Sequence, residues 1–195
     1  MRDREPGSPR DEIKATFLER LQALAAPGAN KGPLAILRRN AGKSLAEAHG
    51  VYGVFYRLFP ARPARDEELY FLFATLFALG PRVDFEGDFG ASMARLRAVY
   101  NPSAVDRRMT ILLDTEMDGT APGELGFRMR QAVKMLAGKG IGINWPQLLD
   151  DLLWWSDPRK LVQKRWASSY FAGQDVDAGF ATVAGASEEG DEDAS

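Results

Sequence analysis

The stretch Leu69-Tyr70-Phe71-Leu72-Phe73-Ala74-Thr75-Leu76-Phe77-Ala78-Leu79 decides the fold. Thr75 is its one polar residue. Asp66, Glu67 and Glu68 precede it and Gly80-Pro81 follow. Acids in a first turn suit the positive end of a helix dipole, and a Gly-Pro pair cannot continue a helix, so both ends are marked. Tyr70, Phe71, Phe73 and Phe77 point in different directions around such a helix, which makes it apolar on all sides and in need of protein on every side. A membrane span needs about 20 apolar residues. This run is too short for one, and it reads as a core helix with no membrane partner.

Upstream, Asp11 to Ala25 carries Ile13, Phe17, Leu21 and Leu24 at helical spacing. Gly32-Pro33 opens a short helix from Leu34 to Asn40, with Arg38-Arg39 at its C-terminal end and Gly42-Lys43 beyond. Leu45 to Phe59 continues as helix, bent near Gly50 and Gly53 and stopped by Pro60. Downstream of the core helix, a polar loop at 84–88 leads to an amphipathic helix, Phe89 to Val99. Asn101-Pro102 is a cap followed by a first-turn proline, with Val105, Met109 and Leu112 in phase behind it. After a loop at 114–123, Glu124 to Ala137 places Leu125, Met129, Val133 and Leu136 in one stripe, with Arg130 and Lys134 on the far side. Gly138, Gly140 and Gly142 make a flexible connection. Asn144 and Gln147 fit a capping box opening a helix through Leu148, Leu149, Leu152, Leu153 and Trp155. Asp157-Pro158 repeats the cap-plus-proline device and starts a last helix to about Phe171. No segment alternates as a strand would, so the chain reads as all-α, with about eight or nine helices.

The 195 residues support one domain or two small lobes with a real core. The chain has no cysteine, which excludes disulfides, thiolate zinc sites and thiol catalysis and agrees with a reducing cytoplasm, the expected location. Met1 to Arg10 is polar and has no apolar signal core, and a flexible N-terminus is expected over 1–10. Gly42-Lys43-Ser44 lacks the upstream glycine of a phosphate loop, since that position is Leu37, and it follows a helix instead of a strand. Gly138-Lys139-Gly140 lacks dinucleotide-binding spacing. The one histidine, His49, has no second His or Cys with which to share a metal, and a surface or packing role is expected. Asp150 and Asp151 are adjacent, so on a helix they diverge. Asp114, Glu116 and Asp118 read as a solvated charge run. No catalytic constellation emerges, and neither an enzyme nor a cofactor is expected.

The net charge of −2 conceals an asymmetry. Residues 172–195 hold seven acids and no Lys or Arg, and this acidic, Gly- and Ala-rich segment is expected to be disordered. Residues 1–171 are left with 25 basic and 20 acidic side chains, a net of +5. The positive charge is clustered: Arg38, Arg39 and Lys43; Arg107 and Arg108; Arg128, Arg130, Lys134 and Lys139; Arg159, Lys160, Lys164 and Arg165. Lys160 and Lys164 fall one turn apart, opposite Val162, Trp166 and Tyr170, an arrangement suited to phosphates. Solvated helix faces are the competing reading of each cluster. For Arg165, near the apolar side of its helix, a structural ion pair and a ligand contact are equally open. Trp145, Trp155 and Trp166 fit core packing better than base stacking.

The order of motifs resembles the CasB family, the small subunit of the type I-E CRISPR surveillance complex known as Cascade. The residues that carry the likeness are Leu37-Arg38-Arg39, the Tyr70-to-Leu79 helix with Gly80-Pro81, Phe89-Gly90-Ala91-Ser92-Met93-Ala94-Arg95-Leu96 and Asp106-Arg107-Arg108. They continue with Phe127-Arg128-Met129-Arg130-Gln131, Lys139-Gly140-Ile141-Gly142-Ile143-Asn144-Trp145, Leu152 to Trp155 and Val162-Gln163-Lys164-Arg165-Trp166. The resemblance covers about Glu12 to Phe171. It implies two packed helical bundles, here divided as 11–100 and 101–171. It also implies a non-catalytic role in antiviral defence, with two copies side by side bridging the large subunit and the guide-RNA-processing head against the backbone subunits. In such a complex the basic faces, drawn here from Arg38, Arg39, Lys43, Arg107, Arg108, Arg128, Arg130, Lys134, Lys139, Lys160 and Lys164, meet guide RNA and target DNA and hold the displaced strand of the R-loop. The rival reading is a helical protein–protein scaffold that touches no nucleic acid.

Overall fold

The computed structural model describes residues 9–59, 66–117 and 123–172. Among them are nine helices: α1 (Pro9–Ala25), α2 (Gly32–Arg39), α3 (Tyr52–Leu58), α4 (Glu67–Leu79), α5 (Phe89–Val99), α6 (Pro102–Asp114), α7 (Gly123–Gly138), α8 (Trp145–Leu153) and α9 (Leu161–Phe171). The fold is all-α, as expected. The acidic segment from 173 onward and the N-terminal residues to 8 lie outside the described residues.

Helix α4 is the axis. Every residue from Leu69 to Ala78 is buried, and its aromatic side chains meet partners in several directions. Tyr70 stacks on Phe59 at 4.1 Å between ring centroids and meets Phe17 of α1 edge-on at 5.0 Å. Phe71 meets Phe55 of α3 edge-on, while Phe73 and Phe77 both meet the Trp145 ring at the start of α8. Edge-to-face pairs of this kind add to the burial of the rings themselves. Thr75, the polar exception, donates its hydroxyl to the Leu72 carbonyl at 2.8 Å, so a buried hydroxyl is satisfied within the helix.

Helices α1 to α3 pack with α4 as one group, and α5, α6, α7 and α9 form a second; α4 joins the two by resting on α7 and α8. The tightest seam of the second group is α5 on α9. A Cβ at Gly90 would fall on the Trp166 carbonyl, so only glycine lets these two backbones approach. Trp166 then reaches both Phe89 and Trp155, at centroid separations of 4.8 and 5.0 Å. The buried apolar side chains of both groups form one continuous core.

Four local expectations are corrected. Leu45 to Val51 is a run of turns, and helix is confined to Tyr52–Leu58. Polar side chains take the backbone groups a helix would have used: Asn40 clasps both the N–H and the carbonyl of His49, and Glu68 accepts the Leu45 N–H at 2.9 Å. Gly50, with φ +66°, turns the chain out of the right-handed region. The last helix starts at Leu161, not at Pro158, because Asp157 accepts the Arg159 N–H and closes a turn. The glycine connection after α7 is pinned instead of flexible: Val83 and Ile143 form a parallel bridge, and the Ile143 carbonyl accepts the Asp84 N–H at 3.0 Å. Finally, Asn144 caps α8 through the Gln147 N–H, but the Gln147 side chain turns forward to Asp151 and leaves the box half made.

Candidate nucleic-acid interface

The first and third basic clusters, far apart in sequence, meet where α2 ends against α7. Arg38 donates its Nε to the Ala78 carbonyl at 2.8 Å, satisfying one of the orphan carbonyls at the end of α4. Arg39 beside it is exposed and has no hydrogen bond or ion pair among the described residues. The chain then turns at Gly42, with φ +82°, against Arg130 of α7; a Cβ at Gly42 would lie 2.6 Å from the Arg130 Cδ. Arg130 is therefore half-buried, a correction to its expected place on the far side of α7. Its Nε is shut away from water with no acceptor among the described residues. Lys134, one turn further along α7, is exposed. At the same end Gly80 sits so close to Ala137 that a Cβ would come within 2.8 Å of it, which holds the end of α4 against α7. The Gly42–Arg130 contact thus brings the turn between Arg39 and Lys43 against α7.

The remaining candidates lie elsewhere. Arg128 is about 200° around α7 from Arg130; it pairs with Glu124 at 2.7 Å and lies over the Phe127 ring. Lys139 stands 5.2 Å from the centre of the Tyr100 ring. On α6, Arg107 is exposed without a partner among the described residues, and Arg108 donates back to the Ala104 carbonyl. Lys160 is not on the exposed side of a helix with Lys164. It is the residue before α9, in the left-handed region at φ +51°, with its ammonium 3.7 Å from Glu116. Its carbonyl accepts the Lys164 N–H, which keeps the two lysines one turn apart, and Lys164 is exposed. Arg159 is held in the turn by Asp157, whose carboxyl its side-chain and backbone bonds pull down to about 2.

Arg165 proves to be structural. Its guanidinium pairs with Asp151, which also accepts the Trp166 indole N–H at 2.6 Å and the Gln147 amide at 2.8 Å. Asp151 is only 2 % exposed, and burial pushes its carboxyl above the usual carboxylate range against the pull of these donors. This hub fastens α8 to α9. In the sequence Asp150 and Asp151 only diverge; the i, i+4 spacing of Gln147 and Asp151 is the one local signal of this hub, because Arg165 and Trp166 reach it from another helix. Asp150 goes to Lys14 of α1 at 2.7 Å. Arg82, exposed with its guanidinium beside Gly140, is a further cation near the end of α7 that its lone position after Pro81 did not announce. His49 is exposed in the turn after α2. Among the described residues no three His, Asp or Glu side chains converge as a metal site; Asp118 lies outside them. No helix among them is long and apolar enough to cross a membrane.

Comparison with known proteins gives this architecture a family. The family model for CRISPR-associated protein Cse2 matches residues 33–171. A curated CRISPR-associated protein Cse2 of Thermus thermophilus is 35% identical over 108 residues, which span 54% of this chain and 57% of that protein. The crystal structure of a Cse2-family protein from the same species superposes with a TM-score of 0.68 at 25% identity, covering 85% of this chain and 99% of that one. A chain of a CRISPR RNA-guided surveillance complex shares the fold at a TM-score of 0.64 and 20% identity, over 82% of this chain and 91% of its own. The match to the family model over most of the folded helices, together with these relatives, means that the chain belongs to the CRISPR-associated protein Cse2 family, the CasB family that its motifs resemble.

Proposed function

We propose that this protein is a non-catalytic small subunit of an RNA-guided DNA-surveillance complex of the Cascade type. In this reading it bridges the large subunit, the backbone subunits and the guide-RNA-processing head beside a second copy of itself. It also holds the displaced DNA strand with the face built from Arg38, Arg39, Lys43, Arg130 and Lys134. The observation that supports the reading is the contact of the Gly42 turn, which lies between Arg39 and Lys43, with Arg130 of α7 on a family member's helical scaffold. Single-strand tracking requires a positive groove and no base code. Because R-loop formation is a near-balanced exchange of duplexes, a few phosphate contacts are enough to tip it. Arg107, Arg108, Lys160 and Lys164 then serve as secondary contacts, and Arg128 and Lys139, already engaged with Glu124 and Tyr100, contribute field more than direct bonds.

The test is retention of the displaced strand by the assembled complex carrying Arg39→Glu with Lys134→Glu, compared with Lys160→Glu with Lys164→Glu. Intact assembly with a less protected displaced strand in the first variant is the expected result. Protection unchanged in both variants would sink the strand-holding role. A second reading, a scaffold without nucleic-acid contact, draws on exposed Trp154 and Leu161 beside Arg159 at the α8–α9 joint, a surface suited to protein. It predicts that charge reversal leaves DNA protection intact while failing, if anywhere, at assembly.

A further inference from the structure

Between α5 and α6 the chain passes through Tyr100 in extended conformation, at φ −136° and ψ −176°. Its ring is left 46 % exposed. Asn101, the next residue, is fixed by its cap on the Ala104 N–H, so the ring stands on a held segment. The Lys139 ammonium lies over this ring, 5.2 Å from its centre. Gly140, next in the chain after Lys139, has the Arg82 guanidinium against its backbone: a Cβ there would lie 3.5 Å from the Arg82 Nη1. Tyr100, Lys139 and Arg82 thus come from three stretches of the chain to the turn that ends α7.

The cations here are uncompensated. Neither Lys139 nor Arg82 makes an ion pair among the described residues, and no Asp or Glu occurs between Glu124 and Asp150. Asp84, the acid nearest Arg82 in sequence, is taken by Arg95 at 3.0 Å. The run 78–82 also links this turn to the cations proposed to hold the strand. Arg38 bonds the Ala78 carbonyl, Gly80 rests on Ala137 and Arg82 on Gly140. Four residues on from Ala78, Arg82 is at most about 14 Å away along the chain. An exposed aromatic ring among cations does what a cation alone cannot, because every unpaired base has a π-face to stack.

We propose that Tyr100 is a stacking platform for one base of single-stranded DNA, with Lys139 backing the ring and Arg82 meeting an adjoining phosphate. The inference rests on the strand-holding reading above and adds to it a contact with the bases. Because the platform is already in place, little ordering opposes the stack. It reads no sequence.

The full-length chain tests it, with a single-stranded thymidine oligonucleotide as probe and an abasic strand of the same length as control. Tyr100→Ala should bind the thymidine strand about fivefold or more weakly. The factor should be the same at every salt concentration, since a stacked ring releases no counterions. The same variant should bind the abasic strand as the parent does, and Tyr100→Phe should match the parent on both. Arg82→Gln should instead flatten the slope of log affinity against log salt by about 0.7. A parent that binds thymidine no better than Tyr100→Ala does would overturn the platform and leave the strand-holding reading standing. Equal weakening of Tyr100→Ala on both strands would overturn it too, making the ring a prop for Lys139. No binding of either strand by the parent at low salt would take the strand-holding reading down with it.

Discussion

Tyr70 keeps its hydroxyl in the core with no hydrogen-bond partner among the described residues, and burial pushes its ionisation up to about 12. An unpaired buried hydroxyl costs about 1–3 kcal/mol. Tyr70→Phe should therefore leave stability at pH 7 unchanged or raise it by about 1 kcal/mol, read from urea unfolding. The folded state holds the Tyr70 proton more tightly than the unfolded state, so the stability linked to it is full below pH 10 and drains as pH rises toward 12. The phenylalanine variant should lose less stability than the parent between pH 9 and about 11.5, with the remaining loss assigned in part to Tyr170, also raised by burial. Asp151 is the opposite case, a buried acceptor with every donor satisfied. Asp151→Ala strands the Trp166 and Gln147 donors and should cost about 2–4 kcal/mol in the same assay. The buried tryptophans were legible from their places on apolar stripes. Asp151 was not, because its meaning depends on Trp166 and Arg165 arriving from another helix.

At the level of helices, the spacing of apolar residues placed α1, α2, α4, α5, α6, α7 and α8 close to where they stand, since each buries one stripe or, for α4, its whole circumference. Errors fell where polar side chains compete for the backbone. Asn40 and Glu68 hold 45–51 in turns, and Asp157 closes a turn where a helix cap was expected. Asn40 and Glu68 lie 9 and 23 residues from the groups they bond, too far to advertise the contact, whereas Asp157 bonds only two residues on and could equally have been a cap. The α5–α9 seam makes a clear prediction: Gly90→Ala forces a methyl onto the Trp166 carbonyl and should cost about 3 kcal/mol, with both helices losing amide-exchange protection together. Lys160→Gly relieves a left-handed backbone at the entrance to α9 and should raise stability by up to about 1 kcal/mol, seen as a higher urea midpoint.

For the molecule as a whole, the sequence announced a core, an all-α class and clustered charge, but not which clusters come together. That information resides in Gly42 and Arg130, which meet only because α2 and α7 pack against the same end of α4. A salt series on single-stranded DNA checks the result. Each phosphate contact contributes a slope of about −0.7 in log affinity against log salt, so reversing Arg39 and Lys134 should flatten the slope by about one to two, and reversing Lys160 and Lys164 by less. The Gly42–Arg130 contact also has a mechanical consequence. It ties the helical group built from α1 to α4 to the group that contains α7 at a second place, beside the packing of α4 itself on α7. Pulling the two groups apart would therefore have to break this contact as well as the shared core, so the turn and the Arg130 stem act as a clasp on the outside of a joint that the core closes from within.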